Sequence, residues 1–307
     1  MSQLKTDFTQ HEVTCALQCA GNRRHTMRTF IKEVSGVDWG NGAVMNCRWA
    51  GPRLRDVLAT AGLRIPPEND KNYHVAFACY KTAVQDDSWY GGSIPLSRAM
   101  ASSADVILAL EMNGRPLPTN NGYPVRIVAP GIAGARCVKW LDRITVQAEE
   151  SSCFYQQHDY KALPPEATDK QSAEKYWPIT PALQAMPINS VIVEPANEAT
   201  VELPADGLLT VCGYALPSGD HGPVSKVEVS VDEGTTWQQA EMIPGQQIGT
   251  WTWALWTTQV RLERGRNRRI LSRAYDSAGN TQPGQPVWNF RGVGYNGYGE
   301  SRKLVVR

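Results

Sequence analysis

Along residues 12–17 the apolar positions Val13, Cys15 and Leu17 alternate with polar or small ones, the pattern of a half-buried strand that runs straight into the loop CAGNRR. That strand delivers Cys19 to a turn of small residues. Residues 51–61, GPRLRDVLATA, place Leu54, Val57, Leu58 and Ala61 on one apolar helical face, with Pro52 near the start, and predict a helix. A second strand is predicted over 73–79 and a short helix over 95–101, while the apolar run 106–112 ends at the turn signal NGRP. The first half of the chain therefore mixes helix and strand. Periodicity fades across 151–181, a polar, proline-bearing stretch too long for an ordinary loop, which calls for a function or a domain crossing. Beyond Pro187 the texture changes. Val227, Val229 and Val231 alternate with Lys226, Glu228 and Ser230 before the turn Asp232-Glu233-Gly234, and Trp251, Trp253 and Leu255 alternate likewise. Short strands at this spacing predict an immunoglobulin-like β-sandwich. No internal repeat interrupts either half.

The chain has 307 residues, which points to about two domains. With 31 Lys+Arg against 30 Asp+Glu, its formal net charge of +1 supplies no global field for nucleic acid or an anionic membrane surface. Any chemistry on anions must come from local charge. Ten Trp and eleven Tyr beside 26 Gly and 20 Pro suit a strand-rich, turn-rich fold and argue against a helical bundle. The seven Cys are scattered without a CxxC pair, which excludes a disulfide framework and a zinc ribbon and favours a reducing compartment. Neither a signal peptide, a transit peptide nor a membrane-spanning run is read from the sequence, so the expected location is cytoplasmic, with mitochondrial or peroxisomal alternatives for a longer native chain.

The densest chemistry lies in LQCAGNRR. Cys19 beside the cationic pair Arg23 and Arg24 would be biased toward thiolate, which is both a nucleophile and a soft-metal ligand. On chemistry alone, a buried structural cysteine is the stronger reading. Likewise a solvated surface charge or an interdomain salt bridge competes with any anion-binding role for Arg24 or Arg291.

Six ordered blocks change that balance: LQCAGNRR (17–24), RWAGPRLRDVLATAG (48–62), YGGSIPLSRAM (90–100), EMNGRPLP (111–118), GYPVRIVAPGIAGARCVKWLDRI (122–144) and WNFRGV (288–293). Together they resemble the sulfite oxidase and eukaryotic nitrate reductase family of molybdenum-cofactor oxidoreductases, over nearly the whole chain. The resemblance implies an α+β fold: a mixed α/β molybdopterin-binding domain over 1–150, a connecting segment over 151–178, and an immunoglobulin-like β-sandwich dimerisation domain over 179–307. It implies the molybdenum-molybdopterin cofactor, with Cys19 as the protein's metal ligand and Arg126, Cys137, Val138 and Lys139 as further cofactor contacts. Gly131 and Gly134 would let the backbone approach closely. The same resemblance implies that Arg24 and Arg291 bind an oxyanion, the latter from the C-terminal domain. It also implies that Tyr160 faces the reacting oxygens and that Trp39 lines the substrate funnel.

Tyr160 in HDYK, with Glu111-Met112-Asn113, favours sulfite over nitrate. The implied activity is oxidation of sulfite to sulfate by oxygen-atom transfer in a homodimer. Electrons would pass to oxygen or a separate cytochrome, with no nucleic-acid or membrane partner. A nitrate-reducing member and a cofactor-deficient dimeric binding protein are the alternatives. Three departures from the family pattern accompany this. The chain begins after the place of an upstream Arg-Asn-His motif; Asn120-Asn121-Gly122 stands where Asp-His-Gly is usual; and Lys81 stands where an acidic residue is usual, with Asp86 and Asp87 displaced.

Overall fold

The computed structural model describes residues 1–64 and 73–307 and divides them into two compact units. The first comprises Met1–Met186 together with Trp288–Gly294, and the second Pro187–Val287 with Tyr295–Arg307.

In the first unit, helix α1 (Ser2–Thr6) precedes strand β1 (Gln10–Gln18), which runs antiparallel to β2 (Val44–Pro52) with Cys15 opposite Cys47. Between them lies helix α2 (Arg24–Phe30). Helix α3 (Leu54–Thr60) follows β2, then come β3 (His74–Cys79), β4 (Tyr90–Pro95), α4 (Leu96–Met100), β5 (Ile107–Ala109), β6 (Glu111–Met112), β7 (Arg115–Pro116), β8 (Arg126–Val128) and β9 (Arg143–Gln147). Helices α5 (Phe154–Gln157) and α6 (Lys170–Ala173) occupy the aperiodic stretch. The strands form three sheets, in the orders β1-β2-β6-β7, β4-β3-β9 and β5-β8.

Alternation served well where one face is buried: the buried positions of β1 include Val13, Cys15 and Leu17, as its sequence pattern requires. The helix predicted over 51–61 is shorter. Gly51 and Pro52 end β2, Arg53 is extended (φ −65°, ψ 135°), and the helix starts at Leu54, burying Leu54 and Leu58. Gly51 belongs to the strand because the backbone of Leu108 passes directly over it, leaving no room for a side chain.

The second unit contains β10 (Asn189–Glu194), β11 (Thr200–Val201), β12 (Leu208–Leu216), β13 (Val224–Ser230), β14 (Gln238–Gln239), β15 (Glu241–Met242), β16 (Ala254–Arg261), β17 (Gly265–Asp276) and β18 (Gly299–Val306). Its two sheets run β10-β12-β16-β15 and β11-β18-β17-β13-β14. Both contribute to one apolar cluster that includes Val211, Val227, Trp256, Ile270 and Leu304. The alternation at Trp251 and Trp253 misled: the strand begins only at Ala254. Residues before it form a turn in which Thr252 N–H donates to the Gly249 carbonyl at 3.2 Å and Gly249 N–H to Thr252 Oγ1 at 2.8 Å.

Gly51→Ala is expected to destabilise the first unit by about 1–3 kcal/mol, because the opposing groups are backbone and cannot rotate away. Urea unfolding followed by circular dichroism measures this.

Candidate active site

The strand β1 hands the chain to a tight turn. Cys19 N–H still donates to the Ala43 carbonyl at 2.9 Å, then Asn22 N–H bonds back to the Cys19 carbonyl at 2.9 Å, and Arg23 takes φ +66° before α2 begins. Asn22 Oδ1 accepts from Ala43 N–H at 3.0 Å and pins the turn to the start of β2. The result leaves Cys19 partly exposed, whereas Cys15, Cys47, Cys79, Cys137 and Cys153 are buried. Burial raises the thiol pKa of Cys15, Cys47, Cys137 and Cys153, so these stay protonated and inert. Cys19 is thus the one cysteine of this unit that is partly exposed.

Arg24 is almost fully buried at 4% exposure, and its guanidinium is tied to backbone carbonyls. Nε donates to Arg291 O at 2.9 Å and Gly292 O at 3.3 Å, and Nη1 to Val37 O at 2.9 Å. The slot is walled by glycine. A Cβ at Gly21 would stand 2.5 Å from Nη2, one at Gly36 2.7 Å from Nη1, and one at Gly292 2.7 Å from Cγ. Burial lowers the Arg24 pKa, opposed by the nearby Cys19, Asp159 and Tyr160 and reinforced by Arg291. Those same groups place Cys19, Arg24, Arg291 and Tyr160 in one electrostatic neighbourhood.

Arg291 differs from the expectation in two respects. Its segment, Trp288–Gly294, belongs to the first unit rather than to the sandwich, because Ser35 N–H donates to Phe290 O at 2.8 Å and Gly294 N–H to Ala20 O at 2.8 Å. Its guanidinium is also ion-paired: Nε and Nη2 lie 3.0 and 2.9 Å from Asp159 Oδ1, and Nη1 donates to Ser35 Oγ at 3.3 Å. Asp159 was missed in the sequence although it adjoins Tyr160 in the same motif. Its Oδ1 also accepts Tyr160 N–H at 2.8 Å, fixing the turn on which that tyrosine sits at φ +48°. Burial, followed by Asp159 and Cys19, pushes the Tyr160 pKa upward, so the phenol keeps its proton and can donate it in a hydrogen bond. Trp39 is 44% exposed on the loop after α2, which excludes a core role.

A second cluster forms a cavity of about 200 Å³ lined by Cys79, Thr82, Val84, Tyr90, Arg126, Gly134, Cys137, Lys139 and Trp140. It adjoins the cysteine turn, since a Cβ at Gly134 would stand 3.0 Å from Gln18 O and 3.8 Å from Cys19 N. Arg126 is buried and donates to Ile127 O, Asn121 O and Cys137 O at 3.4, 3.0 and 3.0 Å. Lys139 Nζ donates to Asn120 O at 2.9 Å. Burial lowers the pKa of both cations, and for Lys139 the like charge of Arg126 lowers it further; neither has a carboxylate partner among the described residues. A buried arginine and a half-buried lysine, repelling one another beside a cavity, suit an anionic ligand. Val138 does not line the cavity: it is buried, and its carbonyl accepts Ile127 N–H at 3.0 Å. Asn120 and Asn121, the departures from the family motif, serve these cations through their carbonyls, a role open to any residue type. Of the loop before β4, Thr82 and Val84 reach the cavity, while Asp87 instead accepts Phe154 N–H at 2.9 Å. Behind the cavity, fully buried Arg136 donates to Leu183 O, Tyr155 O and Tyr160 O at 3.2, 2.9 and 3.4 Å. A larger cavity, about 460 Å³, is lined by Glu149, Glu150, Lys161 and Thr180 among others and contains none of the expected site residues.

The description "Oxidoreductase molybdopterin binding domain" matches residues 1–155, and "Mo-co oxidoreductase dimerisation domain" matches residues 180–301. The chain belongs to the molybdopterin-binding oxidoreductase family. Among its relatives, the mitochondrial sulfite oxidase of Mus musculus is 43% identical over 97% of this chain and 54% of its own length. Sulfite oxidase of Arabidopsis thaliana is 36% identical over 92% and 73%, and NADH nitrate reductase of Volvox carteri 35% over 92% and 33%. This oxidoreductase chain spans about half the length of the animal sulfite oxidases it matches. The crystal structure of sulfane dehydrogenase SoxCD from Paracoccus pantotrophus superposes with a TM-score of 0.75 at 25% identity, covering 98% of this chain and 73% of that one.

Gly122, at φ +110°, has a backbone that strains any L side chain, and a Cβ there would press at 3.1 Å on the Cβ atoms of both Arg126 and Lys139. Gly122→Ala is expected to lower molybdopterin content about tenfold, read by pterin fluorescence after denaturation. Gly21→Ala should leave that content intact, because a Cβ there would displace Arg24 alone.

Proposed function

We propose that the chain oxidises sulfite to sulfate. The observation that carries this reading is the convergence of Arg24, Arg291 and Tyr160 on the neighbourhood of the exposed Cys19, next to the cavity that holds Arg126 and Lys139.

The residues fit molybdenum-molybdopterin. The uncompensated pair Arg126 and Lys139 would hold its phosphate, the glycine-lined approach at Gly134 and the backbone at Cys137 would hold its pterin, and Cys19 would bind the metal through its thiolate. Among the described residues no group of three or more His, Cys, Asp or Glu side chains is arranged to hold a metal ion, so Cys19 would act beside ligands carried by the cofactor. When bound, the group supplies a two-electron redox centre competent in oxygen-atom transfer.

Sulfite oxidation takes one oxygen atom from water and releases two electrons and two protons. The chain's own part is to bind and orient. Arg24 keeps N–H groups beyond those used by the carbonyls, and these meet a dianion in a site where burial strengthens the attraction. Arg291, half neutralised by Asp159, adds a second donor whose direction is fixed by that ion pair. The protonated Tyr160 donates to an oxygen of the anion. Trp39 borders the entrance. Electrons leave to an external acceptor, oxygen or a separate cytochrome, and residues 180–301 pair two copies of the chain.

Cys19→Ser is expected to cut sulfite-dependent reduction of an artificial acceptor by at least about a hundredfold while the circular dichroism spectrum is retained. Full molybdenum content and turnover in that variant would refute the assignment. Nitrate reduction assayed on the same metal-loaded sample should be far slower than sulfite oxidation; the reverse order would make it a nitrate reductase.

A further inference from the structure

The stretch 31–43 that follows α2 has no regular secondary structure, and from Ile31 to Gly40 every residue except Val34 and Ser35 is exposed. Yet it supplies two of the groups on which the oxyanion arginines rest, the Val37 carbonyl under Arg24 and the Ser35 hydroxyl against Arg291. One end is held by the returning segment: Trp288 Nε1 donates to Lys32 O and Glu33 O at 3.1 and 3.2 Å, and Ser35 N–H to Phe290 O at 2.8 Å. The other end is held by the start of α2, where Arg23 N–H donates to Gly40 O and His25 N–H to Trp39 O, both at 2.9 Å, and the bend at residues 34–38 lies between these two anchors. Gly36 takes φ +151° and passes so close to Arg24 that a side chain there would strike Nη1.

What braces the bend between the two anchors is Arg28, on the second turn of α2. Its Nε donates to Glu33 Oε1 at 2.6 Å, Nη1 lies 2.8 Å from Asp38 Oδ1, and Nη2 donates to Val34 O and Gly36 O at 2.9 and 3.2 Å. His25 Nδ1 adds a contact to Asp38 Oδ2 at 2.9 Å. The ion pairs alone count for little, because Glu33 and Asp38 are 74% and 44% exposed. What counts is that one planar fork, itself only 20% exposed, spans the loop from Glu33 to Asp38 and grips two carbonyls between them.

We propose that Arg28 is a positioning residue of the oxyanion site, holding the loop so that Val37 and Ser35 set the directions of Arg24 and Arg291. It rests on the sulfite reading only for the identity of the anion. Lysine could not replace it, since a point charge cannot make four divergent contacts.

The test uses the metal-loaded full chain with Arg28→Ala and Arg28→Lys. Four quantities are measured: sulfate affinity by calorimetry, KM and kcat for sulfite, molybdenum per chain, and hydrogen exchange of the amides of residues 36–40. The expected result for Arg28→Ala is an increase of about tenfold in both the sulfate Kd and the sulfite KM. Its kcat and molybdenum content should hold, and its loop amides should exchange faster; Arg28→Lys should recover little. Unchanged sulfate affinity and loop exchange would overturn the proposal, as would a loss of molybdenum and kcat at constant sulfate affinity. A wild-type chain that binds sulfate but does not oxidise sulfite removes the sulfite reading and leaves Arg28 to be judged by sulfate affinity. In a chain that binds neither anion, loop exchange alone decides.

Discussion

A guanidinium withdrawn from water needs acceptors for its N–H groups, and the usual solution is a carboxylate that also cancels its charge. The first unit takes a different course at Arg24, Arg126 and Arg136. Each is met by three backbone carbonyls. Carbonyl dipoles solvate the head and fix its plane without neutralising it, so positive charge survives in the interior. Much else in this unit serves that arrangement. Glycines thin the walls so that the main chain can come close enough to accept, and loops without regular structure are retained where their free carbonyls are needed.

Arg291 shows the contrast. Paired with Asp159 it has a fixed direction and a reduced field, and it sits in the same neighbourhood as the uncancelled Arg24. Under the proposed sulfite oxidation, a dianion approaching both would meet one strong cation and one oriented donor, a graded arrangement that would admit the anion and still let a product of equal charge leave. A chain of nearly zero net charge can thus hold uncancelled positive charge in its interior: the balance is global and the excess local.

The strands with one wet face were legible in the sequence because burial alternates there, as in β1 and β13. The turn that presents Cys19 at the end of β1 was legible because the strand pattern runs straight into a contiguous motif of small residues. The start of α3 was misplaced because proline after glycine suits a helix start and a strand end alike, and the passage of Leu108 over Gly51, a contact 57 positions away, decided between them. Trp251 and Trp253 alternate without forming a strand, since a Gly-Thr turn claims their backbone. Arg291 was recognised by its motif but placed with the wrong unit, because only long-range hydrogen bonds reveal which core the segment joins. Arg28 has no motif at all. Its importance comes from the loop that it spans, and nothing in the local pattern of α2 distinguishes it from a solvated arginine.

The return of Trp288–Gly294 to the first unit has a bearing on how the protein is made. The carbonyls of Arg291 and Gly292 that hold Arg24 come more than 260 positions after it in the chain, beyond most of the second unit. A growing chain that has already translated all of the cysteine turn, the cavity and most of the sandwich still lacks two of the three acceptors for its central arginine. The setting of Arg24 is therefore completed only after most of the second unit has been made. A chain stopped before Arg291 would carry Cys19 beside a loosely held cation, and closure around Arg24 reports that synthesis has passed Gly292.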